Sequence, residues 1–151
     1  MTEQNWLKYG AIALAVVAGV LLVAYALSQP GELEGRTWAV QEMTVDGATV
    51  QPLEGTVITA NFENGTVAGI ATCNNYFASY ELDGSSIAIG PIGTTLMACV
   101  GVPGSDVQES AYLTLLQNAD EFDVDGDELK LKSGGSTVLV YAEVTPELYE
   151  N

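Results

Sequence analysis

Apolar positions along this chain follow two rhythms. The first is unbroken: Gly10 to Leu27 is an uncharged run of 18 residues, mostly Ala, Val and Leu. As a helix rising about 1.5 Å per residue it would extend about 27 Å, close to the hydrocarbon thickness of a bilayer. Trp6, Tyr9 and Tyr25 stand where interfacial aromatics would. The pattern predicts a signal anchor and linker over 1–30, with the transmembrane helix at about 9–27. Lys8 lies before the run and Glu32 and Glu34 after it, which places the N-terminus inside and the remainder outside the cytoplasmic membrane. A cleaved signal peptide competes with the anchor, because Ala24-Tyr25-Ala26 has the small-x-small form of a processing site. Either fate exports the rest of the chain, as a single-pass extracytoplasmic domain or a secreted one.

The second rhythm has a period of two and begins after Pro30-Gly31. Ile58, Ala60 and Phe62 fall on one face of a strand and Thr59, Asn61 and Glu63 on the other. Leu129 and Leu131 alternate with Lys130 and Lys132, and Trp38/Val40, Ile87/Ile89 and Thr137–Tyr141 read the same way. Turn dipeptides separate these runs: Asp46-Gly47, Asn64-Gly65, Asp83-Gly84, Asp125-Gly126 and Gly134-Gly135. Asn-Gly between β-type runs is the strongest short hairpin signal, because both central residues tolerate positive φ. One stretch departs from the alternation. Ser105-Asp106-Val107-Gln108 has a capping-box form, and Val107, Ala111, Tyr112, Leu115, Leu116 and Ala119 recur at helical spacing. A helix from about Asp106 to Asn118 is predicted to pack on the sheet. The fold class is therefore α+β: a single small antiparallel β-barrel-like sheet of about seven strands with one packed helix. It occupies 31–144, comes after the N-terminal transmembrane helix and leads into a loose tail at 145–151.

Charge narrows the functions. Of 20 acidic and 4 basic residues, 19 and 3 lie from residue 31 onward, so the folded part carries the whole net charge of −16. Such a surface repels nucleic-acid phosphates and anionic headgroups, and suits solubility or a cationic partner. Histidine is absent, which removes the commonest general base and the usual imidazole metal ligand. The acidic stretch Asp120–Glu128 suggests calcium, but its glycine falls fourth from Asp123 where an EF-hand loop needs it sixth, so a hairpin turn is the better reading. Asn64-Gly65-Thr66 is a glycosylation sequon that the hairpin turn equally explains. Ser79, Ser85 and Ser86 sit in no nucleophile elbow. No catalytic, metal or cofactor site is assigned.

Cys73 and Cys99 are the only cysteines, placed on strands or strand ends of one β-unit. They could form a structural disulfide, a free redox pair or a nucleophile. Export with an even cysteine count favours the disulfide, which would remove about 3–4 kcal/mol of unfolded-chain entropy. With few cations and no histidine there is little to activate a thiolate.

These segments together resemble a known family. Leu33-Glu34-Gly35-Arg36-Thr37-Trp38, Gly69…Cys73-Asn74-Asn75-Tyr76…Tyr80, Thr95-Leu96-Met97-Ala98-Cys99, and a helix bearing Glu109, Tyr112, Leu113 and Leu116 resemble the META domain family, with its HslJ-like heat-shock and envelope members. The resemblance covers roughly 33–142. It implies a small open antiparallel barrel with one helix, similar to the secretin pilotin lipoproteins, and links to heat stress, drug tolerance, motility and secretion, with no enzymatic activity established. Thr72 and Ala78 stand where glycines are common in the family, and the lipid-attachment cysteine of many bacterial members is missing.

The motif residues are Gly69, Cys73, Asn74, Tyr76, Tyr80, Thr95, Met97, Ala98 and Cys99. In the plainer reading Asn74 satisfies a turn, Thr95 caps a strand, and Tyr76 and Met97 fill the core. In the functional one, Asn74, Tyr76, Thr95 and Met97 line a groove. The expected function is a non-enzymatic, envelope-displayed domain that binds a protein or peptide in envelope stress response or secretion, held to the membrane by its N-terminal helix. A carrier of a small apolar ligand such as a lipid, or an envelope protease inhibitor, is the alternative.

Overall fold

The structure, a computed structural model, describes residues 32–145. The expected anchor, and the tail beyond Thr145, lie outside them. Among the described residues no helix is long and apolar enough to cross a membrane.

Among the described residues, ten strands and one helix occur in the order β1 (Thr37–Val45), β2 (Ala48–Val50), β3 (Thr59–Glu63), β4 (Thr66–Ile70), β5 (Asn75–Asp83), β6 (Ser86–Ile89), β7 (Gly93–Thr94), α1 (Ser105–Gln117), β8 (Glu121–Asp125), β9 (Glu128–Ser133) and β10 (Ser136–Glu143). The sheet runs β10-β9-β8-β6-β5-β4-β3-β1 and closes through β1 and β10, giving an eight-stranded antiparallel barrel. β2 extends outward from β1, and β7 lies beside β5. The open barrel implied by the resemblance is thus closed. β1 achieves this because it is long and bulged between Val40 and Glu42, pairing with β3 at its start and with β10 along most of its length. The thinnest seam joins β6 to β8: one register pair, Ser86 with Glu121, flanked by Ile87 N–H to Asp120 C=O (3.0 Å) and Phe122 N–H to Ser85 C=O (2.9 Å).

Local chemistry explains the hairpins. Asn64 and Gly65 have φ of 51° and 73°, and Asp46 and Gly47 51° and 79°, the twist that matches two-residue turns to their strands. Gly69 answers a different need: a Cβ there would lie 2.1 Å from the Thr59 carbonyl oxygen of β3.

Alternation places Trp38, Ile58, Ala60, Phe62, Val67, Tyr76, Leu129, Leu131, Leu139 and Tyr141 inside the barrel. The rings of Phe62 and Tyr80 pack edge-on at 5.4 Å, as do those of Tyr76 and Tyr112 at 5.6 Å. Trp38 donates its indole N–H to Leu33 C=O (3.0 Å), which buries Leu33 ahead of the first strand.

α1 lies over the barrel end where β3 and β5 begin. Its inward residues are Ser105, Gln108, Tyr112 and Leu116. Val107, expected on the packed stripe, is 68% exposed. The capping box is also absent. Gly104 in the left-handed conformation occupies the N-cap with no side-chain cap bond, and Ser105 Oγ donates to Val102 C=O (2.6 Å). Gln108 turns inward: its Oε1 accepts from Leu53 N–H (2.6 Å), and its Nε2 donates to Thr56 Oγ1 and Thr72 Oγ1 (both 2.9 Å). The competing partners won because a buried amide must satisfy both of its ends.

Candidate functional site

The two cysteines meet. Cys73 and Cys99 form a disulfide with Cα atoms 5.5 Å apart. Cys73 sits in the turn between β4 and β5, whereas Cys99 lies beyond β7 in an irregular segment and not on a strand. The bond ties the 95–100 segment to the barrel end beneath α1.

Asn74 makes the second tie. Its Oδ1 accepts from Met97 N–H (2.7 Å) and Thr95 Oγ1 (2.9 Å), and its Nδ2 donates to Met97 C=O (3.3 Å) and Glu109 Oε1 (2.7 Å). Every hydrogen-bonding valence of this 5%-exposed amide is used. Glu109 holds the turn from the helix side, its Oε2 accepting from the main-chain N–H groups of Cys73 (2.9 Å) and Asn74 (2.8 Å). Thr95 continues the pairing of β7, with its N–H on Asn75 C=O (3.0 Å) and its Oγ1 accepting Asn75 N–H (3.1 Å).

The result is a segment with two unlike edges. From Thr95 to Val100 the chain runs without a bend. Thr95, Met97 and Cys99 are bound to the barrel by hydrogen bonds and by the disulfide. Leu96, Ala98 and Val100 alternate with them, are exposed, and make no main-chain hydrogen bond among the described residues. Leu96 is 97% exposed and Val100 87%. Met97, expected in the core or a groove, is 56% exposed; its main chain, not its side chain, is what Asn74 holds. The clefts bordering the segment open to solvent and are walled by Thr56, Thr72, Val102 and Pro103. Asp106, exposed, lines one of these clefts, and Glu54, also exposed, directly precedes Gly55, which lines the other.

Other motif residues lie elsewhere. Tyr76 is in the barrel interior, donating to Thr59 C=O (2.9 Å) and sharing a 2.7 Å contact with Tyr112 Oη, which in turn accepts from Tyr141 Oη (3.3 Å). Burial raises the ionisation of all three phenols above the ordinary 10.0. Tyr80 donates to Glu34, and burial with that carboxylate raises it likewise. Gly69 is a packing residue, and Ala98 belongs to the free edge. Thus Cys73, Asn74, Thr95, Met97, Ala98 and Cys99 converge, while Gly69, Tyr76 and Tyr80 support the barrel.

Sequence reasoning gave Gln108 no role beyond a cap, named Glu109 and Ala98 only among the residues of the family resemblance, and did not foresee the outward row. The period-two alternation of 95/97/99 against 96/98/100 was the available signal for that row. The sulfurs of Cys73 and Cys99 and a Glu109 oxygen lie within 4.8 Å of one another. The S–S bond takes up both thiolates a metal would need. At the opposite barrel end Arg36 pairs with Glu143, donates to Gly126 C=O (2.6 Å) and covers the Trp38 ring at 4.3 Å.

The profile of the META domain family matches residues 31–145. No curated protein matches the chain. Among solved structures, one from Burkholderia xenovorans determined by NMR is 27% identical with a TM-score of 0.63, covering 75% of this chain and 84% of that one. A second NMR structure is 18% identical, with a TM-score of 0.56 over 76% and 93% of the two chains. The crystal structure of a DUF4847 family protein from Bacteroides vulgatus is 16% identical, with a TM-score of 0.51 over 73% and 93%. The last two share the fold alone.

Proposed function

The chain belongs to the META domain family, and we propose from that premise that it is a non-enzymatic binding module, displayed outside the cytoplasmic membrane on its N-terminal helix. It recognises a protein or peptide partner through the disulfide-braced segment Thr95–Val100, in envelope stress response or secretion. The observation that carries this reading is the exposure of Leu96, Met97 and Val100 on a segment tied to the barrel by Asn74 and the disulfide. Large apolar side chains held out by a disulfide and a saturated asparagine gain nothing for the isolated domain. Pre-ordered on a surface, they lower the entropy lost on association. The net charge of −16 draws cationic partners by long-range attraction. The carrier alternative finds less support, because Trp38, Phe62, Tyr76, Tyr112 and Tyr141 fill the interior a lipid would need.

The test is photo-crosslinking and capture from solubilised membranes with the full-length chain and its Leu96→Asp/Val100→Asp variant. The exposed substitutions should leave the urea midpoint nearly unchanged. The partners lost from the variant, and weakened in wild type by moderate salt, are the expected result. Equal capture by both proteins would refute the segment's role, and salt-independent capture the electrostatic part. Protease accessibility of the domain in intact cells checks its location.

A further inference from the structure

We propose that the outer edge of Leu96–Val100 takes up an extended partner segment as an added β-strand, and that this segment alternates apolar residues with Lys or Arg. The inference rests on the interaction reading above and specifies how contact is made. Three observations converge on it.

The first is main-chain geometry. In an extended chain the N–H and C=O groups of alternate residues point to opposite edges. Thr95 N–H and both main-chain groups of Met97 are spent inward, on Asn75 and Asn74. Those of Leu96, Ala98 and Val100 therefore point outward, where none has a partner among the described residues. Natural sheets blunt such edges with charges or proline, yet neither occurs between Thr95 and Val100.

The second is rigidity. The inward ties fall on Thr95, Met97 and Cys99, two residues apart, which keeps the outer row in register. An added strand would meet a preformed template, with main-chain bonds supplying affinity and the alternate side chains supplying selectivity.

The third is charge. Asp106 lines one cleft beside the segment and Glu54 directly precedes Gly55, which lines the other, whereas the three basic residues of the folded part (Arg36, Lys130 and Lys132) stand just ahead of β1 and on β9. Apolar side chains would contact Leu96 and Val100, and cations would face the acidic rim. A second copy of this chain is disfavoured as occupant by like-charge repulsion.

The test uses the full-length chain and the probe peptide Lys-Val-Lys-Val-Lys-Val-Lys, alongside its alternately N-methylated form and a Glu-for-Lys form. Binding is read by NMR, with hydrogen exchange of the Leu96, Ala98 and Val100 amides. The expected result is slowed exchange at those amides with the parent peptide, and at least tenfold weaker binding by either modified peptide. Ala98→Pro removes one outward N–H without touching the inward ties and should weaken binding at least tenfold, whereas Ala98→Val should not. Equal binding of the parent and N-methylated peptides, an Ala98→Pro variant that binds like wild type, or protection centred on β2 would overturn strand addition. Partner capture that still depends on Leu96 would then leave the binding-module reading standing. Concentration-dependent dimerisation protecting the same amides would identify a second copy as occupant and refute the peptide.

Discussion

Nδ2 of Asn74 lies 2.7 Å from Oε1 of Glu109, joining the β4–β5 turn to the helix across 35 positions of sequence. Asn74→Ala would remove four side-chain hydrogen bonds at once and leave Met97 N–H and Glu109 Oε1 without partners. The expected loss is about 2–4 kcal/mol in urea unfolding. Glu109→Gln, which turns an amide donor toward donors, should cost about 1.5–3 kcal/mol. A loss below about 0.5 kcal/mol for either would show that water replaces the network.

The disulfide and Asn74 hold the same segment by different means. Cys73→Ser/Cys99→Ser removes a constraint on a 26-residue separation, with an expected loss of about 3–4 kcal/mol. The Met97 amide should nevertheless stay protected in native-state hydrogen exchange, because Asn74 Oδ1 still receives it. Free exchange of that amide in the double variant would assign all of the order to the S–S bond.

Thr72 has φ of 101°, a region costly for a β-branched side chain, and its hydroxyl accepts from Gln108. Thr72→Val keeps the strain and deletes the acceptor, so it should destabilise by about 1–2 kcal/mol. Thr72→Gly also loses the bond but releases about 1–3 kcal/mol of strain, and should lie near wild type. If the glycine variant is the less stable of the two, backbone strain at this turn is not the governing term.

The buried phenols predict alkaline behaviour. Tyr76, Tyr112 and Tyr141 are pushed above 10.0 by burial, in that the folded state disfavours the phenolate. For an acid whose folded value is raised, the stabilising contribution is complete below the unfolded value and is lost as pH climbs past 10.0 toward the folded value. Absorbance at 295 nm should therefore show these phenols ionising late, in one step coincident with unfolding. Smooth titration near 10.0 with the fold intact would contradict the packing of the barrel interior.

Much of the barrel is legible in sequence because it rests on short-range rules. Asn64-Gly65 and Asp46-Gly47 carry their own φ preferences, and Leu129/Leu131 against Lys130/Lys132 states which face is wet. The helix is legible in extent but not in facing. Val107 fits the apolar period and points to solvent, while polar Gln108 points in because Leu53, Thr56 and Thr72 meet it there. Met97 likewise reads as core by hydrophobicity, although its main chain is what the fold uses.

By itself the sequence determined the period-two strands, their two-residue turns, one helix before the last two or three strands, the acidity and the family. Each is a property of neighbouring residues or of a sum over residues. Only the tertiary structure decided that β1 meets β10 to close the barrel, that Asn74 and Glu109 share a hydrogen bond, and that Leu96, Ala98 and Val100 form a free edge. These are relations between groups far apart in the chain, set by which partner a buried polar atom or an unpaired strand finds once the core has formed.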